Sequence, residues 1–327
     1  MAKRKKRLKV GLALGGGSAR GLAHIGILKT LHKHKIYPDY IAGTSIGAVI
    51  GALYAAGHSP DEIEEIAKTT NWKKIIDFTV PKSGLIEGRM IENKIRKLVS
   101  NKEFSELSTP LRVVSYNLDL HEKAIIYEGN VAKAVRASIS IPGIFTPLKI
   151  GKHRYIDGAV IDPTPFNVVR HMGADIVIAV DLYSNKKNVL DVPIAKETTF
   201  FTELREKFII EELVNIKNYI IPTRWPKFIK WFIKWFFDKL LYPAKVLKIM
   251  AGKELPTIAK VMDETMGILF ANLARERLKH SQVDIKVTPN FGHLGWADFS
   301  KVEEFVQVGK ISMEKKLNLL NKKLGKN

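Results

Sequence analysis

Two glycine-rich turns near the amino terminus carry the residue types that an acyl-transfer site needs. Residues 15–21 read G-G-G-S-A-R-G, and residues 43–47 read G-T-S-I-G with Ser45 at the centre. Backbone N–H groups of a glycine loop can bind an oxyanion. The flanking Gly43 and Gly47 permit a tight strand-to-helix turn that exposes the serine hydroxyl as a nucleophile. Together the two turns predict a site for attack on an ester carbonyl.

The glycine loop is predicted to supply N–H donors from Gly15, Gly16 and Gly17, with Arg20 in a supporting position. A dinucleotide-binding loop fits poorly, because Arg20 occupies the position of its last glycine and Asp39 comes before the second strand instead of at its end. A Walker phosphate loop does not fit, because no Gly-Lys-Ser or Gly-Lys-Thr follows. The loop is therefore interpreted as an oxyanion site.

An activated serine needs a base, and Asp157 is the stronger candidate. It directly follows a predicted strand at 153–156, and Gly158 allows another chain segment or Ser45 to approach closely. Strand-end turns would then bring the alcohol, the carboxylate and the amides together at the carboxyl edge of the sheet. An Asp-Gly pair is also a favoured hairpin turn, so a purely structural role stays open. Three of the nine histidines also remain candidate bases: His24, His153 and His293.

The elements that must position these residues alternate short apolar runs with helical patterns, as expected of a mainly parallel sheet wrapped by helices. Strands are predicted at 8–14, 40–43, 111–117, 123–127, 153–156, 176–181 and 283–288. Helices are predicted at 19–34, 45–56, 60–68, 90–100, 131–138, 255–279 and 302–324. The segment Ser59-Pro60-Asp61-Glu62 has the spacing of a capping box. The expected fold class is α/β, with helices on both faces of the central sheet and an inserted amphipathic helical segment.

Composition limits the classes of partner and chemistry. Lys and Arg outnumber Asp and Glu by 53 to 33 in the 327 residues, and the net charge of +20 suits an anionic partner such as nucleic acid, phospholipid headgroups or an acidic protein. The absence of cysteine excludes a thiolate nucleophile and thiolate metal ligands. No H-E-x-x-H or calcium-loop spacing occurs, and no apolar stretch is long enough for a transmembrane helix. We expect neither a metal nor a cofactor.

The composition changes after residue 182. Between 186 and 253 the alternation of strands and helices stops, and residues 225–243 read W-P-K-F-I-K-W-F-I-K-W-F-F-D-K-L-L-Y-P. Lysines fall on one helical face and aromatic residues on the other, which predicts an amphipathic helix. The pattern fits both a helix that packs on the core and a helix that lies in a lipid interface. The candidates for membrane contact or a lid are Trp225, Phe228, Phe232, Trp235 and Phe236.

Four motifs, taken in their order along the chain, resemble the bacterial patatin-like phospholipases. They are the glycine loop at 15–21 with the following L-A-H-I-G-I-L-K, the serine turn at 43–47, A-S-I-S-I-P-G-I-F-T-P at 137–147, and D-G-A at 157–159. The resemblance runs from about residue 8 to residue 182. The glycine loop is one residue longer than the shortest family loop, G-G-G-x-R-G, which leaves open which N–H groups point inward.

The resemblance implies a Ser45 and Asp157 dyad without histidine and an oxyanion site at Gly15, Gly16 and Gly17. It also implies hydrolysis of acyl esters of lipids. In that mechanism the serine forms an acyl-enzyme intermediate, which water then hydrolyses.

These observations lead to a domain organisation and a function. We expect a catalytic domain at 1–185 and 254–295, an insertion at 186–253 that contacts a membrane or acts as a lid, and a carboxyl-terminal helix at 296–327. The expected function is a serine acyl hydrolase that cleaves fatty-acyl esters of phospholipids or other lipids at a membrane surface. The expected partners are the lipid substrate and an anionic membrane, with no nucleic acid. The expected location is the cytoplasm, at the membrane periphery, and the sequence leaves the oligomeric state open.

Two alternatives belong to other classes. A Ser-His-Asp hydrolase of the common α/β type would use a histidine base, but its serine turn usually lies after several strands rather than after the second. A non-catalytic basic module that binds membrane or nucleic acid would explain the net charge. It would leave Ser45, the glycine loop and Asp157 as coincidence.

Overall fold

The computed structural model describes residues 7–71, 77, 83–84, 86–183, 257–279 and 281–325. The chain divides into two compact units, one of Met1–Pro193 with Ile268–Asn327 and the other of Ile194–Gly267. The predicted insertion at 186–253 lies outside the described residues, and so do its membrane or lid candidates Trp225, Phe228, Phe232, Trp235 and Phe236. The domain boundaries stay a prediction.

Eight strands of the described residues form one sheet. They are β1 (Val10–Leu14), β2 (Tyr40–Thr44), β3 (Leu111–Asn117), β4 (Glu122–Ile126), β5 (Leu148–Ile150), β6 (His153–Asp157), β7 (Ile176–Val180) and β8 (Ile285–Val287). Their order is β5-β6-β3-β2-β1-β7-β8, and β4 also pairs with β3. The pairings from β3 to β8 through β2, β1 and β7 are parallel, whereas β3–β4, β3–β6 and β5–β6 are antiparallel. The predicted mainly parallel sheet is confirmed.

Helices cover both faces of this sheet. They are α1 (Ala23–Lys33), α2 (Ile46–Ala55), α3 (Pro60–Thr69), α4 (Arg89–Leu98), α5 (Val131–Ser138), α6 (Phe166–His171), α7 (Thr257–Lys279) and α8 (Val302–Leu324). Successive strand residues face opposite sides of a sheet. Leu12 and Leu14 of β1 join the larger core cluster with α1, α2, α5 and α8, while Ala13 joins the smaller cluster with α6. This is the α/β/α arrangement that the sequence predicted.

Small residues on β1 let α6 pack closely against the sheet. A Cβ built on Gly11 would lie 1.9 Å from Cγ1 of Val169, so no larger residue fits there without movement.

The predicted capping box at the start of α3 is confirmed. Glu62 N–H donates to Ser59 Oγ at 3.2 Å, and Ser59 N–H donates to Glu62 Oε2 at 2.7 Å. None of the described helices is long and apolar enough to cross a membrane.

Sheet register brings the ends of three strands to one level. Leu14 of β1 pairs with Gly43 of β2, so the next residues, Gly15 and Thr44, follow side by side. Thr44 is level with Val114 of β3, and the next β3 residue, Ser115, pairs with Asp157 of β6. The serine and the carboxylate therefore reach the same height. The route differs from the expected one, because β6 runs antiparallel to β3 and reaches this level from the opposite direction.

Candidate active site

Ser45 occupies a strained turn between β2 and α2. Its backbone has φ 55° and ψ −127°, which a residue with a side chain rarely adopts. Gly43 and Gly47 allow the turn to close. A Cβ on Gly43 would lie 2.5 Å from the Gly47 carbonyl oxygen, and a Cβ on Gly47 would lie 2.1 Å from the Leu14 carbonyl oxygen. The turn holds a serine that is only 5% exposed at the amino end of α2.

Asp157 is the last residue of β6 and shares a hydrogen bond with Ser45. The serine hydroxyl donates to the carboxylate, and Ala159 N–H donates to Asp157 Oδ1 at 2.8 Å. The side chain caps a short 3₁₀ turn at Gly158–Val160, so the Asp-Gly pair is not a hairpin turn. A Cβ on Gly158 would lie 2.4 Å from the Val114 carbonyl oxygen, which explains the glycine. The structure thus brings the two predicted chemical groups together.

Burial makes the Asp157 carboxylate a stronger base than a free aspartate. The side chain is 1% exposed, and the loss of water raises its pKa from 3.8 to about 7. The hydrogen bonds from Ser45 and Ala159 lower the pKa, but burial has the larger effect. A carboxylate with a pKa near neutrality suits general-base catalysis.

The three candidate histidines take other roles. His24 is fully buried, and its Nε2 lies 2.8 Å from the Gly15 carbonyl oxygen. Burial lowers its pKa to about 4, so the neutral ring donates to that carbonyl and fixes the glycine loop. His293 pairs with Glu304 at the surface at 3.3 Å, and His153 lies at the start of β6. Among the described residues, no hydrogen bond joins a histidine to Ser45.

The glycine loop presents different donors from those expected. Gly15 N–H donates to the Val180 carbonyl at 3.1 Å, and Gly16 N–H donates to the Pro163 carbonyl at 2.9 Å. Each amide has one hydrogen, so in this structure neither is available to an oxyanion. Among the described residues, the N–H groups of Gly17 and Ser18 have no acceptor.

Of the expected donors Gly15, Gly16 and Gly17, the amides of the first two are therefore occupied, and within the described residues those of Gly17 and the next residue, Ser18, are not. Both residues have positive φ, 156° and 50°, and successive N–H groups in such turns can form an anion-binding concavity. Gly16 keeps a steric role, since a Cβ on it would lie 3.2 Å from the Ser45 Cβ.

Comparison with known proteins adds the family. A sequence profile described as patatin-like phospholipase matches residues 12–170, nearly half of the chain. The match identifies residues 12–170 as similar to the patatin-like phospholipases. Within the described residues, no group of three or more His, Asp or Glu side chains could hold a metal ion.

The alignments with known proteins cover only part of each relative. It is 33% identical over 189 residues to human patatin-like phospholipase domain-containing protein 6, which covers 55% of this chain and 14% of that protein. It is 33% identical over 177 residues to an uncharacterized NTE family protein of Mycobacterium tuberculosis, which covers 53% of this chain and 49% of that protein. Among solved structures, VipD from Legionella pneumophila aligns with 97% of this chain and 67% of its own at 11% identity and a TM-score of 0.48. The chain thus spans at most about half the length of these curated relatives.

The end of α5 and the residues after it hold the backbones of both Ser45 and Asp157 by hydrogen bonds, a role that sequence reasoning missed. Ser45 N–H donates to Ser138 Oγ at 2.8 Å, and that hydroxyl donates to the Val114 carbonyl at 2.6 Å. Asp157 N–H donates to the Ser140 carbonyl at 2.9 Å. Both serines are fully buried. The A-S-I-S-I-P segment supported the resemblance, but its spacing gave no sign of this double attachment.

Arg136 ties the same segment to two neighbouring loops. Its guanidinium is 1% exposed and donates to Ser140 Oγ at 2.6 Å, to the Thr146 carbonyl at 3.0 Å and to the Glu87 carbonyl. It also lies 5.2 Å from the centre of the Phe145 ring. Burial lowers its pKa to about 10, so the group stays charged at neutral pH. A buried charge with this many acceptors holds the loops in place.

Arg20 connects the glycine loop with the carboxyl-terminal part of the chain. Its guanidinium lies 4.3 Å from the centre of the Trp296 ring and 5.3 Å from that of Phe291. Ala19 N–H donates to the Trp296 carbonyl at 2.9 Å. Arg20 thus stacks on rings beyond the residues that match the family profile, and its supporting role at the site stays a prediction.

Proposed function

We propose that this chain is a serine acyl hydrolase that cleaves fatty-acyl esters of lipids, with Ser45 as nucleophile and Asp157 as base. The observation that carries the proposal is the hydrogen bond between a buried serine in a strained turn and a buried carboxylate whose pKa is raised to about 7. The profile match over residues 12–170 and the name of the human relative, both of which include the word phospholipase, support the choice of lipid esters.

In the first half of the reaction, Ser45 Oγ attacks the ester carbonyl carbon while Asp157 accepts the hydroxyl proton. The carbonyl oxygen becomes negatively charged, and the N–H groups of Gly17 and Ser18 donate to it. When the tetrahedral intermediate collapses, the bond to the alcohol breaks and the proton passes from Asp157 to the leaving oxygen. The acyl group remains on the serine.

In the second half, water attacks the acyl-enzyme and Asp157 accepts a proton from that water. The bond between the acyl group and Ser45 Oγ then breaks, and the proton returns to the serine. One ester and one water give one fatty acid and one alcohol. The cycle as written needs no metal or cofactor.

Burial of Asp157 helps this cycle, because a serine alcohol is a far weaker acid than a free carboxylic acid. The rise in pKa from 3.8 to about 7 narrows the mismatch in proton affinity between carboxylate and alkoxide by about 4 kcal/mol. Transfer of the proton to Asp157 still has to accompany the attack of Ser45 Oγ on the ester carbonyl. A site that stays dry keeps the base strong.

The hydrolase is tested on the purified full chain with a panel of phospholipids, lysophospholipids, neutral lipid esters and short chromogenic esters. Ser45→Ala and Asp157→Asn should each abolish release of fatty acid while the chain stays folded by circular dichroism. Ser312→Ala and Asp61→Asn on the helical surface serve as matched controls and should retain activity. A fluorophosphonate should label Ser45. Labelling of another serine, or full activity of the Asn variant, would refute the dyad.

The proposal extends to action at an anionic membrane surface. The net charge of +20 and the aromatic and lysine pattern of 225–243 support it. Replacing Phe228, Phe232, Trp235 and Phe236 with serine should weaken binding to vesicles of anionic phospholipid more than turnover of a short soluble ester. Equal loss of both would assign the segment to the core instead.

A further inference from the structure

Tyr183 lies outside the residues that match the family profile and belongs to the same crevice. It follows β7, the strand next to β1, whose end leads into the glycine loop. Its N–H donates to Asp181 Oδ1 at 3.0 Å, which fixes the turn after the strand. Tyr183 therefore leaves the sheet beside the loop that faces Ser45.

Two aromatic rings hold the Tyr183 side chain in one orientation. The Phe270 ring is 5.9 Å away at 72°, and the Trp296 ring is 5.1 Å away at 38°. The residue is 4% exposed. Rings packed in these arrangements have few alternative positions, so the hydroxyl direction is set before any substrate binds.

The Tyr183 hydroxyl borders the space in front of Ser45. A Cβ built on Gly16 would lie 3.1 Å from the Tyr183 Oη and 3.2 Å from the Ser45 Cβ. One point next to the glycine loop is therefore within hydrogen-bonding range of the phenol and in contact with the nucleophile. Because Gly16 has no side chain, no atom of that residue fills the space between the phenol and Ser45.

The phenol is a donor at every pH at which the enzyme would work. Burial raises its pKa well above 10, and the negative charges of Asp157 and Asp181 raise it further, against the opposite effect of Arg20. Tyr183 therefore keeps its hydrogen. A neutral phenol beside a developing oxyanion can donate to it.

We propose that Tyr183 donates a hydrogen bond to the substrate carbonyl oxygen as Ser45 attacks, as a third donor beside the N–H groups of Gly17 and Ser18. The inference rests on the proposed hydrolase function. The glycine loop supports the inference as well. The amides of Gly15 and Gly16 already donate to carbonyls, so only those of Gly17 and Ser18 are left on this part of the loop as donors to an oxyanion. The phenol keeps its proton throughout, so the proton balance of the Ser45 and Asp157 cycle is unchanged.

Tyr183→Phe tests this donor, because it removes one oxygen and keeps the ring against its two aromatic neighbours. Loss of one oxyanion donor typically lowers kcat by about 10²-fold or more. We expect a fall of about that size for a short chromogenic ester, with KM changed less than about threefold. Tyr54→Phe is the matched control, since that buried residue lies at the carboxyl end of α2, away from Ser45 at the amino end, and its hydroxyl contacts His32. Its loss should leave kcat unchanged.

A second measurement separates a donor from a packing role. A trifluoromethyl ketone forms a tetrahedral adduct with a catalytic serine, so Tyr183→Phe should weaken its inhibition about as much as it lowers kcat. Binding of an uncleaved ester to the Ser45→Ala background should hardly change. The thermal midpoint of unfolding should stay within about 2 °C of that of the unmodified chain.

The outcomes distinguish the inference from the function on which it rests. If the unmodified chain is active and Tyr183→Phe keeps full kcat, or changes only KM, the donor role is refuted. The hydrolase function is then unaffected. An unmodified chain that releases no fatty acid and takes no fluorophosphonate label overturns the hydrolase, and the donor role with it.

Discussion

Replacing the base should stabilise the folded chain in a pH-dependent way. In the folded state burial raises the pKa of Asp157 from 3.8 to about 7. Between these values the folded chain binds one more proton than the unfolded chain, so the contribution of Asp157 to stability is largest below pH 4 and is lost as pH rises to 7. At 1.36 kcal/mol per pKa unit, the full loss is about 4 kcal/mol. Asp157→Asn removes this dependence because the amide does not titrate.

The measurement is denaturant unfolding of both chains from pH 4 to pH 8. The free energy of unfolding of Asp157→Asn, relative to that of the unmodified chain, should increase by about 2–4 kcal/mol across this range and level off above pH 7. Asp119→Asn is the control. Arg154 lowers the pKa of that exposed carboxyl below 3.8, so its contribution is lost only in more acidic solution and the difference should be flat above pH 4.5. A flat difference for Asp157→Asn as well would show that the carboxylate is not destabilised by burial and would remove the basis for its strength as a base.

Two further predictions concern groups around the dyad. Ser138→Ala leaves the buried Ser45 amide without its acceptor and removes the hydroxyl donor to the Val114 carbonyl, so the free energy of unfolding should fall by about 1–3 kcal/mol and kcat by about tenfold or more. Ser108→Ala, which loses a hydroxyl donor at the edge of the core, should retain kcat. Undiminished kcat in Ser138→Ala would limit that hydroxyl to a structural role. Gly16→Ala places a methyl group 3.2 Å from the Ser45 Cβ, so kcat/KM for long acyl esters should fall while thermal unfolding changes little, and a large loss of stability would instead place the glycine in the core.

Elements with strong local signals could be predicted from the sequence. The α8 helix has the predicted bounds Val302–Leu324, because its apolar positions recur at helical spacing over 23 residues. The strands β1 and β7 are continuous apolar runs, as expected for strands buried on both faces. Two short elements were not predicted. β5 (Leu148–Ile150) and α6 (Phe166–His171) are too short to show a period and depend on their neighbours in the fold.

The functional groups divide in the same way. Ser45 and Asp157 could be singled out as candidates because each belongs to a local motif, and the structure places them in hydrogen-bond contact. The sequence could not predict which amides of the glycine loop are free to bind an oxyanion. The carbonyls that accept from Gly15 and Gly16 belong to Val180 and Pro163, more than 140 residues away in the chain. Tyr183 and its neighbour Trp296 are also far apart in the chain, and no local spacing marks the tyrosine. Sequence patterns report what one segment prefers, whereas the state of a donor depends on which distant carbonyl reaches it.

The burial of Asp157 affects both the stability of the fold and the proposed chemistry. The burial that raises the pKa of Asp157, and so suits it to the proposed role of base, is also the reason why its ionised form destabilises the fold. The core around the site must hold Ser45 at a positive φ and keep water from the carboxylate, which costs stability at both residues. A substitution that relieves this cost by admitting water would lower the pKa of Asp157 toward its ordinary value. Stability gained in that way would therefore reduce the rate of acyl transfer, and the two measurements should change in opposite directions across any series of variants that open the crevice.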